Sequence, residues 1–351
     1  MLTYEGALPI ILSMGRILLL FSTLVAGALA APPTLEVVSV KRIWDQAPHS
    51  AFGDIIRFQN RWFCVFREGT AHVPKTGGAD DGKLRVITST DGDTWASAAL
   101  IAEDGIDLRD PHLSITGAGK LMIVAGGSEY PKGVYAGRQP RVMFSPDGRK
   151  WTKPEAVLER GHWLWRVTWH DGVAYGVSKF GSPGKELPEN PRRANLVSSR
   201  DGIQWQTVVP LQVPGADESA VRFLPNGRMV ILMRTRSLQD ELASIGWADK
   251  PYTDWHWTKQ DVHVGGPNFI VLPDGSMIGG GRWMAAPGAD GPRTALGAMT
   301  ITHYQPQLVL PSGGDNSYPG FVFHDGLLWT MYYSSHETHT AIYLAKIRIK
   351  Q

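Results

Sequence analysis

One cysteine in 351 residues leaves no partner for an internal disulfide, so the chain must be held together by its core alone. Cys64 lies inside the apolar run Trp62-Phe63-Cys64-Val65-Phe66, where it reads as a small buried hydrophobe and not as a reactive thiol. No apolar run reaches the ~20 residues that a membrane-spanning helix needs. The 35 lysines and arginines nearly balance the 33 aspartates and glutamates and form no basic run, so no nucleic-acid partner is expected. The histidines show no His-Glu-x-x-His spacing, and Gly279-Gly280-Gly281 lacks the Lys-Ser/Thr of a phosphate loop; neither a metal nor another cofactor is expected. Long helical periods are missing as well, which argues against an α/β architecture.

What is present begins with a leader. From Met14, the stretch "MGRILLLFSTLVAGALA" combines a positive residue, a short apolar run and the small-x-small site Ala28-Leu29-Ala30. Residues 1–30 therefore read as a signal peptide cleaved after Ala30, and residues 31–351 as a single exported domain, periplasmic or secreted. Residues 1–13 are either an upstream extension from a misplaced start or a long n-region.

Two interleaved repeats organise the rest. "STDGDTW" (89–95), "SPDGRKW" (145–151) and "SRDGIQW" (199–205) each follow a strand-like run and carry the Asp-Gly pair of a tight turn. Between them, "DIIRFQNRWFCVFRE", "PHLSITGAGKLMIVAGG", "RVTWHDGVAYGVSK", "AVRFLPNGRMVILMRT", "NFIVLPDGSMIGGGR" and "GFVFHDGLLWTMYY" each read as strand, polar turn, strand. Six such units, each followed by further strands, predict an all-β six-bladed β-propeller whose later blades open near residues 109, 165, 218, 267 and 318.

In a propeller the first strand of every blade lines the central channel, and its entry and the exit of the second strand build the mouth. The entries bring Asp54, Arg109 with Asp110, Arg166, Glu218, Asn268 and Tyr318 to the axis; the exits bring Arg67, Glu129, Lys179, Arg234, Arg282 and His336. Guanidiniums converging on one rim repel one another unless an anion sits among them, and the arginine fork suits a carboxylate.

The Ser-x-Asp-Gly-x-x-Trp segments resemble the Asp-box (BNR) repeats of the sialidase, or neuraminidase, superfamily, one residue shorter than the usual form. They imply fold rather than catalysis, with Asp91, Asp147 and Asp201 satisfying their own turns and Trp95, Trp151 and Trp205 packing between blades. The resemblance extends to "ESAVRFLPNGRMVILMR", whose Glu218 and Arg234 look like the family's glutamate and second arginine. It reaches "DNSYPGF" too, where Tyr318 looks like the nucleophilic tyrosine. For a third arginine, Arg282 fits the blade geometry and Arg293 the family's sequence context; the geometry favours Arg282. The family's Phe-Arg-Ile-Pro motif is absent, and Arg67 or Arg109 would take over its arginine. No aspartate aligns cleanly with the family's acid/base, leaving Asp110 or His72, with Asp80 and Asp81 in the same loop as His72.

The resemblance implies a retaining exo-glycosidase that removes terminal α-linked sialic acid, or a related acidic sugar, from a glycan. Glu218 would accept the proton of Tyr318 as the phenol attacks. Arg67, Arg234 and Arg282 would clamp the substrate carboxylate, with Arg109, Arg166 and His72 as further ligands, and Asp110 or His72 would protonate the leaving oxygen. Two other readings fit the same sequence: a non-catalytic carbohydrate-binding propeller, and a glycosidase or lyase for another acidic sugar such as a uronate.

Overall fold

The computed structural model describes residues 33–74, 81–182, 187–284 and 286–350. The readings on the leader and on Asp80 lie outside the described residues. Strands alternate with short turns throughout, and no α-helix occurs among the described residues. They assemble into six four-stranded antiparallel sheets, a six-bladed β-propeller. The innermost strands are His49–Phe58, Asp107–Ile115, Trp163–His170, Ala216–Phe223, Gly265–Val271 and Asn316–His324, each opening within two residues of the entry predicted for the later blades.

The repeats alone did not reveal how the ring closes. Blade six takes its three inner strands from residues 316–350 and its outer strand from the start of the domain, Thr34–Trp44, which pairs antiparallel with Ala341–Lys350 from Thr34↔Lys350 to Trp44↔Ile342. Leu35, Val37 and Val40 of that strand pack on Leu328, Tyr343 and Ile347. The first and last segments of the domain thus hold each other, and the fold needs no disulfide.

The core is distributed between the blades. One apolar cluster fills each of the six interfaces between neighbouring blades, as where Phe63, Val65 and Leu84 of blade one meet Leu113, Ile123 and Met143 of blade two. Cys64 is fully buried in the cluster between blades six and one, and burial pushes its thiol pKa up.

The three Asp-Gly segments are the turns between the third and fourth strands of blades one to three. In the first, Asp91 Oδ1 accepts the backbone N–H groups of Asp93 (2.8 Å) and Thr94 (2.9 Å), and Trp95 Nε1 donates back to the Gly92 carbonyl. Asp147 and Asp201 repeat the pattern. In all three the turn's own N–H groups hold the carboxyl below the usual carboxylate range. Blade four keeps only the tryptophan part, Trp255 donating to the Tyr252 carbonyl.

The feature that builds the site lies at the axis. Every innermost strand carries a β-bulge one to three residues inside its entry: Phe52-Gly53, Asp110-Pro111, Trp165-Arg166, Asp217-Glu218, Gly266-Pro267 and Tyr318-Pro319. A bulge inserts one residue and re-aims its side chain. Phe52, Asp110, Gly266 and Tyr318 take positive φ there (57°, 50°, 57° and 53°), a conformation that costs a non-glycine residue roughly 1–2 kcal/mol.

Candidate active site

Beneath the bulges, a belt of polar contacts crosses the channel and draws on all six blades. Asp54 of blade one accepts Arg166 Nη1 (2.8 Å) from blade three and the Leu113 N–H (3.0 Å) from blade two. Arg222 of blade four donates to Asn268 Oδ1 of blade five (2.8 Å). Arg166 Nη2 (3.2 Å) and Asn268 Nδ2 (2.9 Å) both donate to the Pro319 carbonyl of blade six. That carbonyl directly follows Tyr318, so the belt fixes the bulge that aims the tyrosine.

Above the belt opens a cavity of about 570 Å³. Tyr318, only 5% exposed, donates its hydroxyl to Glu218 Oε1 at 3.0 Å, across 100 residues of sequence. The other oxygen, Glu218 Oε2, accepts Arg234 Nη1 (2.9 Å) and the Gly266 N–H (2.9 Å). Glycine is required at 266 on two counts: φ is positive, and a Cβ would lie 1.9 Å from the Tyr318 ring. Burial alone would raise the Glu218 carboxyl, but Arg234, with help from Lys179, outweighs both that and the repulsion of Asp217, and the net shift is downward. Burial pushes the Tyr318 phenol well above its ordinary range, and Glu218 and Asp110 push the same way. The pair is therefore a neutral phenol donating to an ionised carboxylate, the arrangement of a nucleophile and its base.

Asp110 faces the same cavity from blade two. Its carboxyl is raised to about 6, first by burial and then by Glu218, against the opposing pull of Arg109. Among the described residues its Oδ1 has no hydrogen-bond partner, and the nearest cation, Arg109 Nε, stands 3.9 Å away. A carboxyl that holds its proton up to about pH 6, beside one that loses its proton well below that, separates an acid from a base.

Three arginines surround the tyrosine. Arg234 braces Glu218; Arg282 stands 5.6 Å from the Tyr318 ring centre; Arg109 packs 5.1 Å from the ring centre of Phe52, which itself packs on Tyr318. Arg282 is aimed by the Asn316 carbonyl (2.8 Å), Asp315 Oδ1 (3.2 Å) and the Tyr333 hydroxyl (2.7 Å). Asp315 is a hub: Oδ1 also accepts Tyr333, while Oδ2 accepts His49 Nε2 (3.0 Å) and His72 Nδ1 (2.7 Å). His72 thereby reaches the cavity wall from the loop after blade one's second strand.

Two of the expected substrate ligands go elsewhere. Arg67 is fully buried and does not line the cavity, because Asp107 Oδ1 (2.7 Å), Asp81 (3.4 Å) and the Ala71 carbonyl (2.8 Å) hold its guanidinium inside the seam between blades one and two. It acts on the cavity at one remove: Asp107, which it neutralises, is 3.5 Å from Arg109. Arg166 is 2% exposed and belongs to the belt. Arg293 caps its own turn through the Asp290 and Pro292 carbonyls, so of the two third-arginine candidates only Arg282 lines the cavity. Asp81 is occupied by the Thr70 N–H and hydroxyl. Glu129 pairs with Arg160 and His336 with Ser334, both away from the cavity.

Sequence reasoning passed over Arg138, Asp217, Asp315 and Tyr333. Asp217 and Asp315 flank Glu218 and Tyr318 closely enough in sequence to have been found by asking what neutralises each arginine. Arg138 comes from the start of a third strand, Gly137–Ser145, a position no entry-and-exit pattern selects.

The ring of bulges and the paired phenol and carboxylate define a six-bladed propeller with an acid–base cavity at its axis. No family model and no curated protein matches the chain. Among solved structures, a protein of unknown function from Dyadobacter fermentans aligns with a TM-score of 0.75 at 19% identity, over 90% of this chain and 99% of the other. The Trypanosoma rangeli sialidase aligns with a TM-score of 0.61 at 13% identity; the match covers 91% of this chain but 60% of the sialidase. A Penicillium chrysogenum α-L-arabinanase, complexed with arabinobiose, aligns with a TM-score of 0.62 at 13% identity over 90% and 99% of the two chains. These similarities establish the sialidase-like six-bladed propeller fold.

Proposed function

We propose that the protein is a retaining exo-glycosidase of the sialidase type that releases a terminal α-linked sialic acid, or a closely related acidic sugar, from a glycan. The observation that carries this reading is the 3.0 Å hydrogen bond from the Tyr318 hydroxyl to Glu218, set in a cavity whose lining has six lysine and arginine side chains against three carboxylates. A lining so rich in guanidinium forks favours a substrate carboxylate over a neutral pentose, because each fork can donate two parallel hydrogen bonds to it. A sugar with a carboxylate on its anomeric carbon would repel an anionic nucleophile, whereas a neutral phenol avoids the repulsion.

In the first step the Tyr318 oxygen attacks the anomeric carbon and its proton passes to Glu218. The bond to the leaving oxygen breaks, and that oxygen takes the proton of Asp110. In the second step Asp110, now a carboxylate, takes a proton from water as the water oxygen attacks the same carbon; the bond to Tyr318 breaks and Glu218 returns the proton to the phenolate. Arg234, Arg282 and Arg109 receive the substrate carboxylate, Arg109 standing in for the arginine expected at the entry of blade one. A leader of the kind described at residues 14–30 would deliver the enzyme to extracellular or periplasmic glycans.

The test is release of free sugar from a panel of α-linked sialosides, uronate-containing glycans and arabinosides, by the purified protein and its Tyr318→Phe variant. The reading expects turnover on sialosides that disappears in the variant while binding remains. Release from uronate glycans or arabinosides alone would overturn the substrate assignment, and unchanged turnover in the variant would overturn the chemistry.

A further inference from the structure

The cations of the cavity differ in one respect. Arg109 faces Asp107 and Asp110, Lys179 faces Asp217, Arg234 faces Glu218, Arg236 faces Glu241 and Arg282 faces Asp315. Arg138 has no carboxylate partner among the described residues. It is 6% exposed, its Nε donates to the Gly161 carbonyl (3.1 Å), and its guanidinium lies 5.8 Å from the centre of the Trp163 ring. Lys179 stands against the same ring, 5.9 Å from its centre, so two cations flank one indole on the wall formed by blades two and three. A buried guanidinium without a carboxylate at salt-bridge distance is costly, and burial accordingly lowers the pKa of Arg138, against the weaker pull of Tyr135 and of the more distant Asp217. Tyr318, Glu218, Arg234 and Arg282 come from blades four to six, so this wall lies across the cavity from most of the reaction centre.

We infer that Arg138, with Lys179 and Trp163, forms a second anion subsite that recognises an additional acidic group, a sulfate ester or a second carboxylate, on the same glycan. The inference rests on the reading of the cavity as a site for acidic glycans, and it narrows the substrate to doubly acidic ones. Trp163 is itself buried and holds the two cations in place over its ring, while Arg138 donates its free Nη groups to the acidic oxygens.

The experiment measures binding by calorimetry of 3′-sialyllactose, its 6-O-sulfated form and disialyllactose to the purified protein, to Arg138→Met and to Arg138→Lys. The two doubly acidic sugars are expected to bind about tenfold or more tightly than 3′-sialyllactose, as one added charge-assisted hydrogen-bonded contact would give. Arg138→Met should erase that preference, lowering the affinity for the doubly acidic sugars to that for 3′-sialyllactose, while Arg138→Lys keeps part of it. If only one doubly acidic sugar gains, it identifies the group. Equal affinities in the parent protein, or a preference surviving in Arg138→Met, would overturn the inference. Inorganic sulfate at matched ionic strength separates this from the sugar assignment. Should no sialoside bind, weaker sulfate binding in Arg138→Met than in the parent upholds the subsite, and equal sulfate binding removes it. If Arg138→Met does not fold, Arg138→Gln carries the same test.

Discussion

The outer turns and the bulge of blade two both carry aspartates, and these titrate in opposite directions; Asp217, on the bulge of blade four, is held down like the turn aspartates, in its case by Lys179, Arg234 and Arg192. Asp91, Asp147 and Asp201 lie in turns whose own N–H groups bind the carboxylate two and three residues along, and their pKa values fall. Asp110 sits on a bulge with no N–H aimed at its Oδ1 and buried among side chains from other blades, and its pKa rises to about 6. One residue type fastens a turn where its partners are local, and keeps its proton to a higher pH where burial outweighs the cation beside it.

The largest effect that would sharpen the contrast is at the axis. Tyr318→Phe removes one oxygen from a packed ring and should lower turnover on sialosides by about 10³-fold or more, the scale expected for loss of a nucleophile. Circular dichroism and the melting temperature should scarcely change, because the ring contacts with Phe52, Trp165 and Tyr333 survive. Unchanged turnover would make the bulge tyrosine as structural as the turn tryptophans.

Arg67→Met tests the seam rather than the site. It strands Asp107 without its buried partner, and breaking such a pair costs about 3–5 kcal/mol. Denaturant unfolding should show that loss. Loss of sialoside affinity with full stability would instead return Arg67 to the substrate.

Asp110→Asn probes both sides of the comparison at once. Loss of a general acid should cost about 10²-fold on natural glycosides and less on aryl glycosides, whose leaving groups need no proton. The parent protein should lose kcat/KM on sialosides as pH rises through about 6, where Asp110 gives up its proton, and the variant should lack that limb. Stability falls in the same direction. The folded carboxyl binds its proton more tightly than the unfolded one, so its contribution falls as pH rises from about 4 to about 6. At pH 8 the asparagine variant should be more stable by up to roughly 2–3 kcal/mol, and at pH 4 by almost nothing.

The smallest effect belongs to the outer turns. There the folded pKa is depressed, so the stability contributed is present at neutral pH and lost as pH falls through the carboxylate range. Asp201→Ala should lower the melting temperature slightly at pH 7, less at pH 3, and leave turnover untouched. A change in kcat would mean that the turn communicates with the axis.

What could be read in the sequence follows the same divide. The Asp-Gly turns were legible because their partners lie within three residues, and the strand pairs because a short turn joins them. Glu218 and Arg234 were legible because they occupy the entry and exit of one hairpin, and Tyr318 because it repeats the entry position in blade six. Arg67 and Arg166 were misplaced because position in a hairpin says that a side chain nears the axis, not whether a carboxylate from another blade intercepts it. Asp107 captures one and Asp54 the other, from 40 and 112 residues away. Arg138 and the closing strand Thr34–Trp44 were missed for a related reason: their roles depend on contacts, across a cavity and around the ring, that no local period encodes.

The most direct measurement of the central claim is intact-mass and peptide mass spectrometry after incubation with 2,3-difluorosialic acid, whose fluorines slow the breakdown of a glycosyl-enzyme. The account predicts one covalent sugar on the peptide bearing Tyr318, formed by the parent protein and absent from Tyr318→Phe. A sugar attached to a different residue, or no adduct under conditions in which the parent protein turns over sialosides, would contradict it.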